Sequence, residues 1–159
     1  ALRSVGTVPA ARQRTDSHAF VAALADTANA LCRPAKLHFV LQEQWQGQFL
    51  CAAPELSRAL ENMLDNAVRY TPAGGTVTLT ISKADGDVSF TVTDTGPGFT
   101  PEALHKAGQF LYTDAARPCN GHQGLGLYLA RSVAQAHVGK LVLANTGTGA
   151  QVQLCLPMQ

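Results

Sequence analysis

Charge is scarce in this chain. Only 14% of its 159 residues are Asp, Glu, Lys or Arg, and 12 basic against 11 acidic side chains leave a net charge of +1. Such a balance offers no basic field for nucleic acid and no acidic tail. The Arg and Lys residues are scattered rather than clustered, which argues against a DNA-reading face. Long apolar runs are missing too. The most apolar segment, AFVAALADTANAL (19–31), is interrupted by Asp26 and Asn29, so nothing reaches the roughly 18 apolar residues of a membrane span. No signal peptide is visible. Cysteines stand at 32, 51, 119 and 155 without a CxxC pair or a zinc-type spacing. The even count is compatible with two disulfides. A chain of this length does not need such staples, however, and the reading adopted is free thiols in a reducing compartment, with Cys32, Cys51 and Cys155 packing as small hydrophobes. Repeats and low-complexity tracts are absent as well.

What is present is a hydrophobic content of 46%, enough for one domain with a sizeable core but not two. Residues 1–15 show neither helical nor strand period and read as a linker or edge segment, leaving 16–159 as the domain. Thr15 or Asp16 caps a helix whose apolar face runs Phe20, Leu24, Ala28 and Leu31 and which ends before Pro34. LHFVL (37–41) and FLCA (49–52) read as strands, paired as a hairpin across QEQWQGQ. TVTLTIS (76–82) and VSFTVTD (88–94) alternate at period two around an Asp-Gly turn, and KLVLAN and AQVQLCL form a final hairpin over TGTG. From Thr100 to Gly121 the pattern weakens to a short helix and a long loop. Strands and helices are grouped rather than alternating, which predicts an α/β (α+β) sandwich: one mixed, largely antiparallel sheet packed on helices.

Pro54 opens a helix with an unusual feature. Leu56, Leu60, Met63, Leu64, Ala67 and Val68 form one buried stripe, yet ENMLDNAVRYTP (61–72) sets Asn62 and Asn66 four apart. Asn inside a helix costs up to about 0.7 kcal/mol relative to Ala. The wheel places the two amides about 160–240° from Leu64 and Leu60, away from the stripe, with Arg69 and Tyr70 one turn on. Asn offers a hard oxygen acceptable to Mg²⁺; alone, two such residues are equally a tolerated polar face. DTGPG (94–98) ends a strand with a carboxylate at the sheet's edge, beside backbone that a ligand can approach closely. A carboxylate accepts only, so it suits the amino group of adenine and rejects the carbonyl of guanine. GHQGLGL (121–127) runs glycines into a helix start, where N–H groups and the dipole favour phosphates. Each motif taken singly is also an ordinary turn or helix entry.

Their order is more specific. An Asn-bearing helix, a DxGxG strand end, a weakly patterned loop and a GLGL helix resemble the GHKL (Bergerat, HATPase) superfamily, and most closely the catalytic domain of bacterial sensor histidine kinases. ENMLDNAVRYTP resembles the N box, DTGPGF the G1 box, GQFLYTD a shortened F box and GHQGLGL the G2 box; the resemblance covers roughly residues 16–157. It implies ATP and Mg²⁺ as cofactors. Asn66 would be the metal ligand, with Asn62 supporting phosphates and metal from the preceding turn. Arg69 would reach the phosphates, and Tyr70 would pack on the adenine. Asp94 would accept the adenine amino group while Gly96 and Gly98 let the backbone close on the base. Gly124, Leu125, Gly126 and Leu127 would hold phosphates, and residues 107–123 would be a lid carrying Phe110 and His122.

Departures from the family concern that lid. The first of two expected phenylalanines is Ala107, with Phe110 in the second position. Tyr112 stands where a basic residue often follows, with Arg117 or Lys106 as substitutes. His122 occupies a position that is often glycine, and it either touches a phosphate or caps the turn. Related ATPases place a glutamate base where this chain has Asn62, and an amide cannot take a proton at neutral pH. Phosphoryl transfer, which needs mainly positioning and charge neutralisation, is therefore the expectation rather than fast hydrolysis. His18, His38, His105, His122 and His137 are followed by Ala, Phe, Lys, Gln and Val, none of which is the acid expected after a phosphoacceptor histidine. The resemblance thus implies a histidine-bearing dimerisation domain elsewhere in the same protein and a downstream response regulator, in a two-component phosphorelay. It implies no nucleic acid and no direct membrane contact. Opening on ALRSV, the chain reads as a monomeric fragment from the cytoplasmic part of a membrane-anchored sensor. An anti-sigma-type serine kinase and a degenerate nucleotide-sensing or docking domain are the alternatives.

Overall fold

The computed structural model describes residues 11–101 and 123–158, of residues 123–126 the backbone only. In chain order the described elements are β1 (Gln13–Asp16), α1 (Ser17–Cys32), β2 (His38–Glu43), β3 (Gln48–Cys51), α2 (Ala53–Tyr70), β4 (Thr76–Ala84), β5 (Asp87–Asp94), α3 (Gln123–Ala136), β6 (Lys140–Asn145) and β7 (Ala150–Pro157). Five strands form one sheet in the order β2-β4-β5-β7-β6, and β1 with β3 forms a separate two-stranded ribbon. Only β2 and β4 run parallel; the other pairings are antiparallel. Helices cover one face of this mixed sheet, as expected from the grouping of elements.

Local chemistry explains most boundaries. Asp16 caps α1 by accepting from the Ala19 N–H at 2.9 Å. Asp85 (φ 55°) and Gly86 (φ 81°) are the two residues between β4 and β5, and positive φ at both is the type I′ turn that matches strand twist. Alternation then sends Val77, Leu79 and Ile81 of β4, with Val88, Phe90 and Val92 of β5, into the core. α2 buries Leu56, Ala59, Leu60, Met63, Leu64 and Ala67 over them. Burial of each large side chain is worth about 1.5–3 kcal/mol.

Two expectations change. The α1 face is centred on Val21, Leu24, Ala28 and Cys32, with Phe20 and Leu31 only partly buried at its flanks. The hairpin expected between residues 37–41 and 49–52 does not form. β2 pairs with β4, whereas β3 pairs with β1. The reason is what anchors the connection. The Gln44 N–H donates to the Ile81 carbonyl at 2.9 Å, keeping β2 on the sheet, while Ser17 exchanges two hydrogen bonds with Gly47. Phe49 then enters an aromatic cluster with Phe20 and Phe90, at centroid distances of 6.0 and 5.8 Å. Cys32, Cys51 and Cys155 are free and buried, in line with their reading as small hydrophobes. No helix among the described residues is long and apolar enough to cross a membrane.

His137, just past α3, joins the ends of two helices. Its Nδ1 donates to the Val133 carbonyl at 2.8 Å, and its Nε2 accepts from the Ala52 N–H at the start of α2 at 2.9 Å. Both bonds together require the neutral ring. Burial holds its pKa below the ordinary imidazole value, against the raising effect of the Val133 carbonyl. A lowered folded-state pKa contributes stability that is present above about pH 6.5 and lost as pH falls through the folded value. The exposed His18, raised by its hydrogen bond to Glu43, works in the opposite sense but is open to solvent screening. Stability is therefore expected to fall between pH 7 and pH 5, by at most about 1.4 kcal/mol per pH unit from His137, and the melting temperature with it. A His137→Gln variant, measured by thermal denaturation across that range, should start less stable and lose that part of the slope.

Candidate functional site

Period-two alternation along β5 puts Asp94 on the same face as Phe90 and Val92, beneath the helices. Its carboxylate is 5% exposed at the C-terminal end of the central strand, not at the sheet's edge as the strand-end motif suggested. Oδ1 accepts from the Gly96 N–H at 2.9 Å and from the Ala150 N–H at 3.3 Å. Gly96 is a glycine for want of space: a Cβ there would stand 2.6 Å from the Tyr70 carbonyl oxygen, a backbone atom. The last turn of α2 therefore abuts the turn after β5, and the structure brings Tyr70, Asp94 and Gly96 together. Gly98 lies two residues on, buried against Asn145.

Along α2 the two asparagines separate. Asn66 is only 4% exposed, although the wheel sets it away from the apolar stripe; Asn62 is half-buried. The expected position of Asn66 on the face away from the apolar stripe is thus corrected: it is buried. α2 packs against α1, α3 and the sheet together, so its buried arc is wider than the stripe. No hydrogen-bond partner for the Asn66 amide exists among the described residues. A buried unsatisfied amide costs about 1–3 kcal/mol, and native structures hold few. Arg69 points outward and pairs with Asp65 one turn back at 3.3 Å. Glu61 accepts from Ser57 Oγ at 3.3 Å.

α3 begins at Gln123, so the backbone of Gly124, Leu125, Gly126 and Leu127 forms its first turns and α2 packs along it. Phe110, His122 and most of the expected lid (107–123) lie outside the described residues. Among the described residues no group of three or more His, Cys, Asp or Glu could hold a metal ion. A cation here would rely on oxygens from a ligand and water, to which a lone Asn carbonyl is a fitting addition.

Sequence reasoning missed the far hairpin's contribution. The tip between β6 and β7 reaches the end of β5 through Ala150, Gly149 and Asn145. The only available signal was the pair of glycines in TGTG, which marks a turn but not what it touches.

Comparison with known proteins agrees with the resemblance drawn from the motifs. The family described as histidine kinase-, DNA gyrase B-, and HSP90-like ATPase matches residues 51–159. The sensor histidine kinase SpaK of Bacillus subtilis is 43% identical over 107 residues, covering 65% of this chain and 23% of SpaK. The histidine protein kinase DivJ of Caulobacter vibrioides is 37% identical over 105 residues, covering 65% of this chain and 18% of DivJ. The chain thus spans less than a quarter of the length of these curated relatives. Among solved structures, the catalytic domain of histidine kinase ThkA superposes with a TM-score of 0.82 at 18% identity, over 93% of this chain and 96% of that one. The mycobacterial sensor histidine kinase MprB does so with a TM-score of 0.79 at 23% identity, over 92% and 99%. At those identities the likeness concerns the fold.

The glycine contacts make a direct test. A Cβ on Gly149 would run into the Asp94 carbonyl oxygen, whereas one on Gly147 meets nothing within 4 Å. Gly149→Ala is expected to destabilise by about 1–3 kcal/mol or more, and Gly147→Ala to stay within about 0.5 kcal/mol. Denaturant midpoints of the two variants decide it.

Proposed function

Because the chain belongs to the histidine kinase-, DNA gyrase B- and HSP90-like ATPase family, we propose that it binds Mg-ATP and delivers the γ-phosphoryl group to a histidine on a separate helical domain of the same full-length protein. It would be the ATP-binding catalytic part of a two-component sensor kinase, working on the cytoplasmic side and signalling to a response regulator. Relatives named as sensor histidine kinases support a histidine acceptor over a serine. The observation that carries the reading is Asn66, a buried amide without a partner among the described residues, on the helix whose end abuts Asp94 and Gly96.

In this reading Asp94 accepts from the adenine amino group, and its carboxylate repels the carbonyl that guanine presents there. The backbone at Gly96 and Gly98 closes on the base, and Tyr70 packs against it. The Asn66 carbonyl oxygen would hold Mg²⁺, supported by Asn62, and a bound metal would supply neutralisation of phosphate charge. Arg69 leaves its exposed pairing with Asp65, worth at most about 1 kcal/mol, and turns to the phosphates. The first turn of α3, Gly124 to Leu127, offers its N–H groups and the positive end of its dipole. Phe110 and His122 would close the site from the lid.

No general base stands at Asn62, and Glu61 is engaged by Ser57, so water activation is poor and transfer to a positioned acceptor is favoured. His137 is buried with both ring nitrogens bonded, and His18 pairs with Glu43. Neither is placed as an acceptor, and none of the five histidines is followed by an acid, which supports an acceptor histidine on a separate domain.

Calorimetric titration is expected to show binding of ATP and not GTP. Asp94→Asn should weaken ATP about 10- to 100-fold, the equivalent of a hydrogen bond to a charged group. Asn66→Ala should abolish the gain in affinity that Mg²⁺ confers while leaving metal-free binding nearly intact. Incubated alone with labelled ATP the protein should stay unlabelled, and label should appear on an added histidine-bearing helical domain. Absence of ATP binding by the unaltered protein would sink the reading.

A further inference from the structure

One side chain holds the turn after Asp94 from outside it. Asn145 ends β6, bridged to Ala150 at the start of β7. Its amide spends both its groups on a single residue. Oδ1 accepts from the Phe99 N–H at 2.7 Å, and Nδ2 donates to the Phe99 carbonyl at 2.6 Å. A residue offering its own N–H and C=O admits only this orientation of the amide, so the side chain copies the bridge that a neighbouring strand would make.

The clasp secures the far end of a segment whose near end is held by Thr95 bonding to Thr76 and by Gly96 donating to Asp94. Between Asp94 and Phe99 the chain runs Thr95, Gly96, Pro97 and Gly98, outside any strand ladder. Gly98 has φ 79°, and a Cβ on it would stand 3.0 Å from Asn145 Oδ1. The same hairpin tip reaches Asp94 through the Ala150 N–H. The tip is itself braced: Thr146 bonds to the Gly149 carbonyl through its N–H at 2.8 Å, and its Oγ1 accepts from the N–H groups of Thr148 and Gly149 at 3.1 and 3.0 Å. One rigid hairpin therefore fixes both the carboxylate and the far end of the glycine-bearing turn, across 46 residues of sequence.

We propose that Asn145 is a positioning residue of the nucleotide site, which holds the Gly96–Phe99 turn in its base-binding shape before ligand arrives. The inference rests on the reading of Asp94 as the adenine acceptor. A turn released from the clasp has to be ordered at each binding event, which weakens every ligand that carries the base by the same factor. Phosphates and metal, held by α2 and α3, are not involved.

The test compares ATP and ADP by calorimetry and adenosine by ligand-observed NMR, with thermal melts of each ligand-free protein. Asn145→Ala is expected to weaken all three by a common factor of about 10. Asn145→Asp, isosteric but setting a carboxylate oxygen against the Phe99 carbonyl, should do at least as much harm. Asn145→Ser, which keeps one hydrogen-bonding group, gives the same comparison if the alanine variant does not fold. Val88→Ala, in the core at the opposite end of β5, lowers the melting temperature without touching the turn and should leave all three affinities unchanged. Equal affinities in the Asn145 variants and the unaltered protein overturn the proposal. So does a loss confined to ATP and ADP, or a loss in Val88→Ala that tracks its melting temperature. Failure of the unaltered protein to bind any of the three overturns the ATP reading itself, and this inference with it.

Discussion

The rotation of α2 about its own axis is the constraint on which the site depends. Leu56, Leu60, Met63 and Leu64 are at most 1% exposed against the sheet and neighbouring helices. Each would lose roughly 1.5–3 kcal/mol if turned outward. No other rotation of the helix hides them all. With that angle set, Asn66 is carried into the protein at the flank of the stripe, and Arg69 is carried out. The same packing brings the end of the helix, at Tyr70, against Gly96. A packing interaction without polar content thus aims the polar groups.

Three buried polar side chains show how differently such groups are treated. His137 has a partner on each ring nitrogen and ties the end of α3 to the start of α2. Asp94 is held by two backbone N–H groups, one from its own turn and one from a distant hairpin. Asn66 has no such partner among the described residues. The first two arrangements reward folding. The third costs stability in the ligand-free chain, since a buried amide without a partner loses its hydrogen bonds to water.

Legibility followed the range of the interactions. The β4–β5 hairpin was readable because alternation, an Asp-Gly pair and a two-residue turn all act within a few residues of one another. The capping Asp16 and the stripe of α2 were readable for the same reason. The pairing of residues 37–41 was not. A local hairpin partner looked sufficient, but the aromatic cluster of Phe20, Phe49 and Phe90 drew β3 away and left β2 to a strand more than thirty residues on. Asn66 was singled out by its motif, yet its burial could not be read from a wheel that considers one helix alone.

What the sequence by itself determined is the inventory and its order: an Asn-bearing helix, a strand ending in Asp94, a glycine-led helix, and a fold class of one mixed sheet under helices. These follow from periodicities and turn chemistry that neighbouring residues decide among themselves. Only the tertiary structure decided that Asp94 sits beneath the helices on the central strand, and that Tyr70 closes on Gly96. It alone placed a second hairpin against that turn. The bonds from Ala150 to Asp94 and from Asn145 to Phe99 span 56 and 46 residues. No local pattern encodes them, because each exists only after the burial of α2 and the pairing of β5 with β7 have brought the partners within hydrogen-bonding distance.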